Sequence, residues 1–279
     1  MELWVFAALA GAMSNGVYGF YQKYYAEDWS ALSIAYQANI VTALFLLPVS
    51  FFIGVGRVTP ELAALILLSG LANAASFYVL ARALEEADLI VVFPIRYLTP
   101  VAAALTEPLV FAATQYSVLT IVSSSLAVAG TSLLAFSRVD GTDTDNRLLG
   151  AALAGFSMIL ILVAVFNDRN LVSNEIEPTA YAGVLALSTA SILFVFVLRS
   201  GDSVTVQREL IPLGIFRTLS LFFIVFALSL TTGTNVNIVL ALSVVVSTGL
   251  GTYVLDEEFT PKRIAGALLV FSSIVLAVL

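Results

Sequence analysis

Ten apolar runs, each close to the ~17–25 residues an α-helix needs to cross a bilayer, occupy most of this chain. Their approximate limits are 3–22, 31–53, 61–83, 89–113, 117–137, 148–167, 178–198, 211–230, 237–255 and 263–279. Such a pattern leaves little choice of fold. Inside hydrocarbon there is no water to pair with backbone polar groups, so each run must close its own hydrogen bonds as a helix. A β-barrel would instead show alternating segments of ~10 residues. Of the 279 residues, 60% are hydrophobic and 11% charged, against ~25% charged in soluble domains. The expected fold is therefore all-α and integral to the membrane, with ten transmembrane helices crossing the cell membrane in multiple passes.

The composition also removes whole classes of chemistry. There is no cysteine and no histidine, which excludes thiol chemistry, disulfides, His-ligated metals and histidine proton relays. No cofactor or metal site is expected. A net charge of −7 gives no reason to expect nucleic acid as a partner. The first apolar run starts at Leu3 with no basic stretch before it and no small-residue cleavage site after it, so it reads as a retained span.

One polar linker, Ser137 to Arg147, divides the chain nearly in half. It sets apart a first unit of residues 1–137 and a second of 148–279, joined by 138–147. The halves echo each other weakly. GFYQKYYAEDWSAL at the end of the first span is matched by VFNDRNLVSNEIEP at the end of the sixth, with Lys23 and Arg169 in equivalent places. Gln115 near the start of the fifth span matches Glu257 near the start of the tenth. Five spans is an odd number, so tandem copies insert in opposite orientations, as in many secondary transporters. The expectation is two inverted five-helix repeats. Eight loop Lys/Arg follow odd-numbered spans, whereas Arg57 and Arg169 follow even-numbered ones, which by the positive-inside rule puts both termini outside.

The fourth span, LIVVFPIRYLTPVAAALTEPLVFAA, is the unusual one. It holds Arg96, Glu107 and the prolines Pro94, Pro100 and Pro108. Ionisable residues at such depth face a bundle interior, a partner or a water-filled cavity. Arg96 and Glu107 stand eleven residues apart on nearly one face. At 1.5 Å per residue that is ~16 Å, too far for a direct pair. Arg217 in the eighth span is the other cation expected within a span. Two readings follow. In one, Arg96 and Arg217 line a cavity for an anionic or zwitterionic solute and Glu107 couples protons or supplies counter-charge. In the other, Glu107 pairs permanently with an arginine to tie helices four and eight, and Arg96 snorkels toward Asp88.

Among uncharged polar residues, Asn15, Asn73 and Tyr253 are candidates to hydrogen-bond a solute. Ser243, Ser247 and Gly251 form a small-residue stripe suited to close helix packing. Tyr18, Tyr21, Tyr24, Tyr25 and Trp29 read as an interfacial aromatic belt. Glu257 and Glu258 read as solvated acids at the start of the last helix.

The end of the second half, LGTYVLDEEFTPKRIAGALLVFSSIVLAVL, resembles the EamA-like type of the drug/metabolite transporter superfamily. The resemblance lies in Asp256, Glu257, Thr260 and Gly266. ARALEEADLIVVFPIRYLTPVAAAL with Pro100 resembles the third-helix end and fourth helix of the same family. Gln115 replaces its usual Glu, and Asn15-Gly16 only echoes its aromatic–Gly pair. The resemblance implies repeats arranged around a central cavity and ATP-independent transport of a small solute. The implied partners are a small solute and the lipid bilayer, with a homodimer left open. An enzyme is not expected: a prenyltransferase would need paired Asp-rich motifs, and Asn167-Asp168-Arg169 stands alone. The competing readings are an intramembrane enzyme on a lipid-linked substrate and a non-transporting accessory protein, the second of which would not need a carboxylate deep in span four.

Overall fold

The computed structural model describes residues 2–25, 28–54, 59–86, 92, 95–96, 98–111, 116–136, 147–174, 176–254 and 260–278. Among these there is no strand. The helices are α1 (Leu3–Tyr25), α2 (Ala31–Ile53), α3 (Pro60–Glu86), α4 (Thr99–Val110), α5 (Val118–Phe136), α6 (Arg147–Asn174), α7 (Pro178–Ser200), α8 (Ile211–Leu228), α9 (Gly233–Leu240), α10 (Leu242–Val254) and α11 (Pro261–Val278). Eight segments among the described residues are long and apolar enough to cross a membrane, and Val118–Leu134 is a shorter apolar helix.

Local chemistry sets the helix ends. The Ser30 hydroxyl caps α2 by accepting from Ser33 N at 3.0 Å, and α2 closes on Gly54, whose φ of +86° suits a residue without Cβ. The Glu177 carboxylate caps α7 by accepting from Ala180 N at 2.8 Å, with Pro178 at the first helical position and Gly201 (φ +80°) at the other end.

The helices are apolar outside, and their polar residues lie inside among the apolar core. α2 buries Ser33, Gln37, Asn39, Thr42 and Ser50 while exposing Leu44, Phe45, Phe51 and Phe52. In water that arrangement would expose large apolar patches. In a bilayer the outer face meets lipid, and the inner hydroxyls and amides bond to helix backbone, as Thr42 does to Ala38 O at 2.8 Å and Ser50 to Leu46 O at 2.9 Å.

Packing repeats between the halves. α2 packs on α7, α5 on α11, α3 on α6 and α1 on α8, with further contacts between α3 and α7 and between α2 and α8. Exchanging α1, α2, α3 and α5 with α6, α7, α8 and α11 maps this set of pairs onto itself. At the α5–α11 crossing two glycines meet: a Cβ on Gly130 would lie 2.6 Å from the Gly266 carbonyl oxygen, and one on Gly266 would lie 2.7 Å from that of Gly130. The α10 stripe also serves packing. A Cβ on Gly16 of α1 would strike Ser243 O at 2.7 Å and Val246 Cβ at 2.5 Å.

Three expectations change. The sixth span does not end at residue 167 but runs on to Asn174, which carries Asp168 and Arg169 into the helix. No Gly or Pro stands between Gly155 and Pro178 to stop it. The ninth run is two helices, α9 starting at Gly233 and α10 at Leu242, with Ala241 between them. Tyr18 is not part of an aromatic belt but is 4% exposed within the bundle. The fourth span is described as α4 with Arg96 ahead of it. Its neighbours 87–91, the linker 137–146, Gln115 and Asp256 to Glu258 lie outside the described residues.

The crossing gives a direct check. Gly130→Ala forces backbone apart and should lower stability by about 1–3 kcal/mol, read as the thermal unfolding midpoint in detergent. Gly249→Ala, whose Cβ meets nothing within 4 Å, should unfold at or above the wild-type temperature.

Candidate functional site

Two buried polar clusters hang on the last turns of α6, from adjacent residues. Successive side chains on a helix point about 100° apart, so Arg169 and Asp168 turn to different neighbours.

The first cluster surrounds Glu107, which is fully buried in α4. Opposite it lies the start of α9, where Thr232 caps the helix by accepting from Asn235 N at 3.2 Å. That leaves first-turn amides free to donate outward. Gly233 N donates to Glu107 Oε1 at 2.7 Å, and Thr234 N and Thr234 Oγ1 donate to Oε2 at 2.9 and 2.7 Å. Arg169 Nη1 donates to Oε1 at 2.5 Å, and the Tyr116 hydroxyl bonds Oε2. The Arg169 guanidinium also lies 4.6 Å from the centre of the Phe111 ring. Five donors and a helix N-terminus meet one carboxylate. Both oxygens accept, and the Tyr116 hydroxyl is also bonded to Thr234 Oγ1 at 2.8 Å.

The second cluster lies between α1, α3, α6, α7 and α8. Asp168, 6% exposed, accepts at Oδ1 from Ser69 Oγ at 2.5 Å and from the Tyr181 hydroxyl. Asn167 Nδ2 reaches Leu65 O at 2.7 Å and Ser69 Oγ at 2.8 Å, and Asn73 Nδ2 donates to Ser69 O at 3.0 Å. Arg217, 8% exposed, sits between two rings, its guanidinium 5.7 Å from the Tyr18 centre and 5.2 Å from that of Phe77. Among the described residues it donates no hydrogen bond, and its Nε is buried without a partner. Asp168 is the ionisable carboxylate whose charge acts on it. One turn along α8, Ser220 donates to Asn15 Oδ1 at 3.3 Å.

Arg217, Asn73 and Asn15 thus come together around one interior. Glu107 belongs to the other cluster, and its arginine is Arg169 on α6, not Arg96 or Arg217. Helices four and eight are not tied by it. Arg96 is half-buried and accepts from Thr99 Oγ1 at 2.6 Å through its carbonyl. Tyr253 is 87% exposed on α10, away from both clusters. Sequence reading missed Asp168, Arg169 and Tyr181. The missing helix-stop signal after residue 155 would have pointed to the first two.

A family model describing EamA-like transporters matches residues 2–136 and again 147–279. The chain belongs to the EamA-like transporter family. The double match supports the division of this EamA-like protein into two repeats. A solved crystal structure superposes on it with a TM-score of 0.82 at 14% identity, covering 99% of this chain and 95% of that one, which extends the likeness of fold over the whole length. No curated relative matches its sequence. With its apolar helices, the family membership makes this an integral membrane protein of the transporter class.

The first cluster predicts a structural phenotype. Removing one partner of a buried charge pair strands the other, so Glu107→Gln and Arg169→Gln should each destabilise the protein by about 3 kcal/mol. The double variant should lose clearly less than the two together, because the residues share one interaction. Thermal unfolding of the four proteins measures this. Simple additivity would remove the pair from the account.

Proposed function

We propose that this EamA-like protein is a secondary active transporter of the cell membrane. In this reading ten spans form two inverted five-helix repeats, which move a small solute by alternating access. The observation that carries it is Arg217: a guanidinium buried within the bundle, flanked by two rings and donating no hydrogen bond among the described residues. A charge so placed is expensive unless it is paired or faces a functional cavity. An arginine fork with unused donors is suited to a planar anionic group such as a carboxylate. The solute is accordingly anionic, or zwitterionic with an anionic group.

The exchange symmetry of six helix pairs between the halves supports two repeats related by a pseudo-two-fold axis, as in the inverted arrangement. α9 and α10 supply a broken ninth span, a common feature of transporter cores. Rocking of one half on the other needs contacts that can re-form. The hydroxyl and glycine surfaces between α2 and α7 are of this kind, with Gly183 seated against Ser50 and Leu46. Glu107 has a holding role here, pinning the start of α9 to α4 and α6.

The test is solute uptake into proteoliposomes from a panel of anionic, zwitterionic and cationic metabolites. Wild type should favour solutes with a carboxylate, and Arg217→Gln should lose at least about tenfold of that preference. That factor corresponds to the 1.5–3 kcal/mol of a charged hydrogen bond. An unchanged preference in Arg217→Gln would remove Arg217 from the solute site.

A further inference from the structure

We propose that Asp168 is the proton-binding site of this transporter, and that a proton on Asp168 and an anion on Arg217 are bound together. The inference rests on the transport reading above but assigns a site that reading does not need.

The two buried carboxylates differ in how their oxygens are used. Glu107 has donors on both. Asp168 has two hydroxyl donors, Ser69 and Tyr181, on Oδ1 alone, and among the described residues Oδ2 accepts no hydrogen bond. Protonation at Oδ2 would leave Oδ1 as a carbonyl oxygen still able to accept from both hydroxyls. The local network therefore survives in either charge state. A site that must load and unload a proton without unfolding its surroundings needs this property, and Glu107 lacks it.

The charges around Asp168 set the consequence. From α8 it faces Arg217, from α7 Tyr181 and, beside Arg217, from α1 Tyr18; α3 contributes only the neutral Ser69 and Asn73. On its own helix Arg169 is already neutralised by Glu107 of α4, with Tyr116 beside that pair. The remaining balance is one carboxylate against one guanidinium. While Asp168 is ionised, Arg217 is compensated at a distance and an entering anion is repelled. When Asp168 takes a proton, Arg217 is left with a full positive charge in a low-dielectric interior, and an anion restores neutrality. Linkage requires the reverse as well: an anion on Arg217 favours the proton on Asp168 by the same factor. Proton and anion enter the bundle as a neutral pair.

The experiment needs no identified solute. Infrared difference spectra of the full chain in lipid, titrated from alkaline to acid buffer, report protonated carboxyl groups directly. Wild type should show a carboxylic C=O band that is absent from Asp168→Asn and displaced in frequency in Asp168→Glu. The glutamate variant keeps the test valid should the asparagine variant fail to fold. In Arg217→Gln the same band should titrate at more alkaline pH by about one unit, a tenfold change in proton affinity, because the facing positive charge is gone. A spectrum with no band sensitive to Asp168, or a band whose titration ignores Arg217, overturns the proposal. Either result can occur while carboxylate uptake remains intact, so it would leave the transport reading standing.

Discussion

Hydrocarbon offers no hydrogen bonds, and nearly every feature of this protein follows from that constraint. It makes the apolar runs helical, turns hydroxyls and amides inward onto backbone carbonyls, and requires each buried charge to have a stated partner or a use. The chain meets the requirement for Glu107 in full. The first-turn amides of α9, which would otherwise be unpaired inside the bundle, find an acceptor there, and the carboxylate finds Arg169. One interaction thus solves two problems, the broken end of a helix and a buried anion. It ties α4, α6 and α9 across the boundary between the two family repeats.

Arg217 is the counter-example. Its neighbours are rings and a carboxylate that acts on it without a hydrogen bond. Aromatic faces attract a guanidinium by roughly 0.5–2 kcal/mol, less than its lost hydration. A fold selected for stability alone has no reason to keep such a group. The contrast between the saturated charge of Glu107 on α4 and the unsatisfied one of Arg217 on α8 separates what holds this protein together from what it does. Asp168 stands between the two, half used, with one oxygen anchored and the other accepting no hydrogen bond among the described residues.

Much of this was legible in the sequence. Run lengths led to the helices, the polar linker near residue 140 to the two family repeats, and the depth of Arg217 and Asn73 to the interior they share. The errors have physical causes. Asn167-Asp168-Arg169 looks like the end of a span because three polar residues in a row are costly in lipid. They are tolerated here because each is hydrogen-bonded inside the bundle: Asn167 to Leu65 and Ser69, Asp168 to Ser69 and Tyr181, and Arg169 to Glu107. The partner of Glu107 was sought among the arginines assigned to spans, and the true one had been placed in a loop. Tyr18 was grouped with an aromatic belt by proximity in sequence, whereas its position on α1 directs the ring inward to Arg217. Tyr253 carried no signal beyond its polarity at the end of a span, and it points outward.

The central claim is that Arg217 is held for a ligand and does not hold the fold. Its most direct test is the thermal unfolding midpoint of Arg217→Met in detergent without solute. With the facing cation gone Asp168 takes a proton and is neutral, so replacing the buried, unbonded Arg217 by an apolar side chain of similar length strands no charge and removes a desolvation cost. The account predicts an unfolding midpoint at or above wild type in mildly acid buffer together with loss of uptake. A midpoint well below wild type would show that Arg217 carries structure, and would contradict the claim.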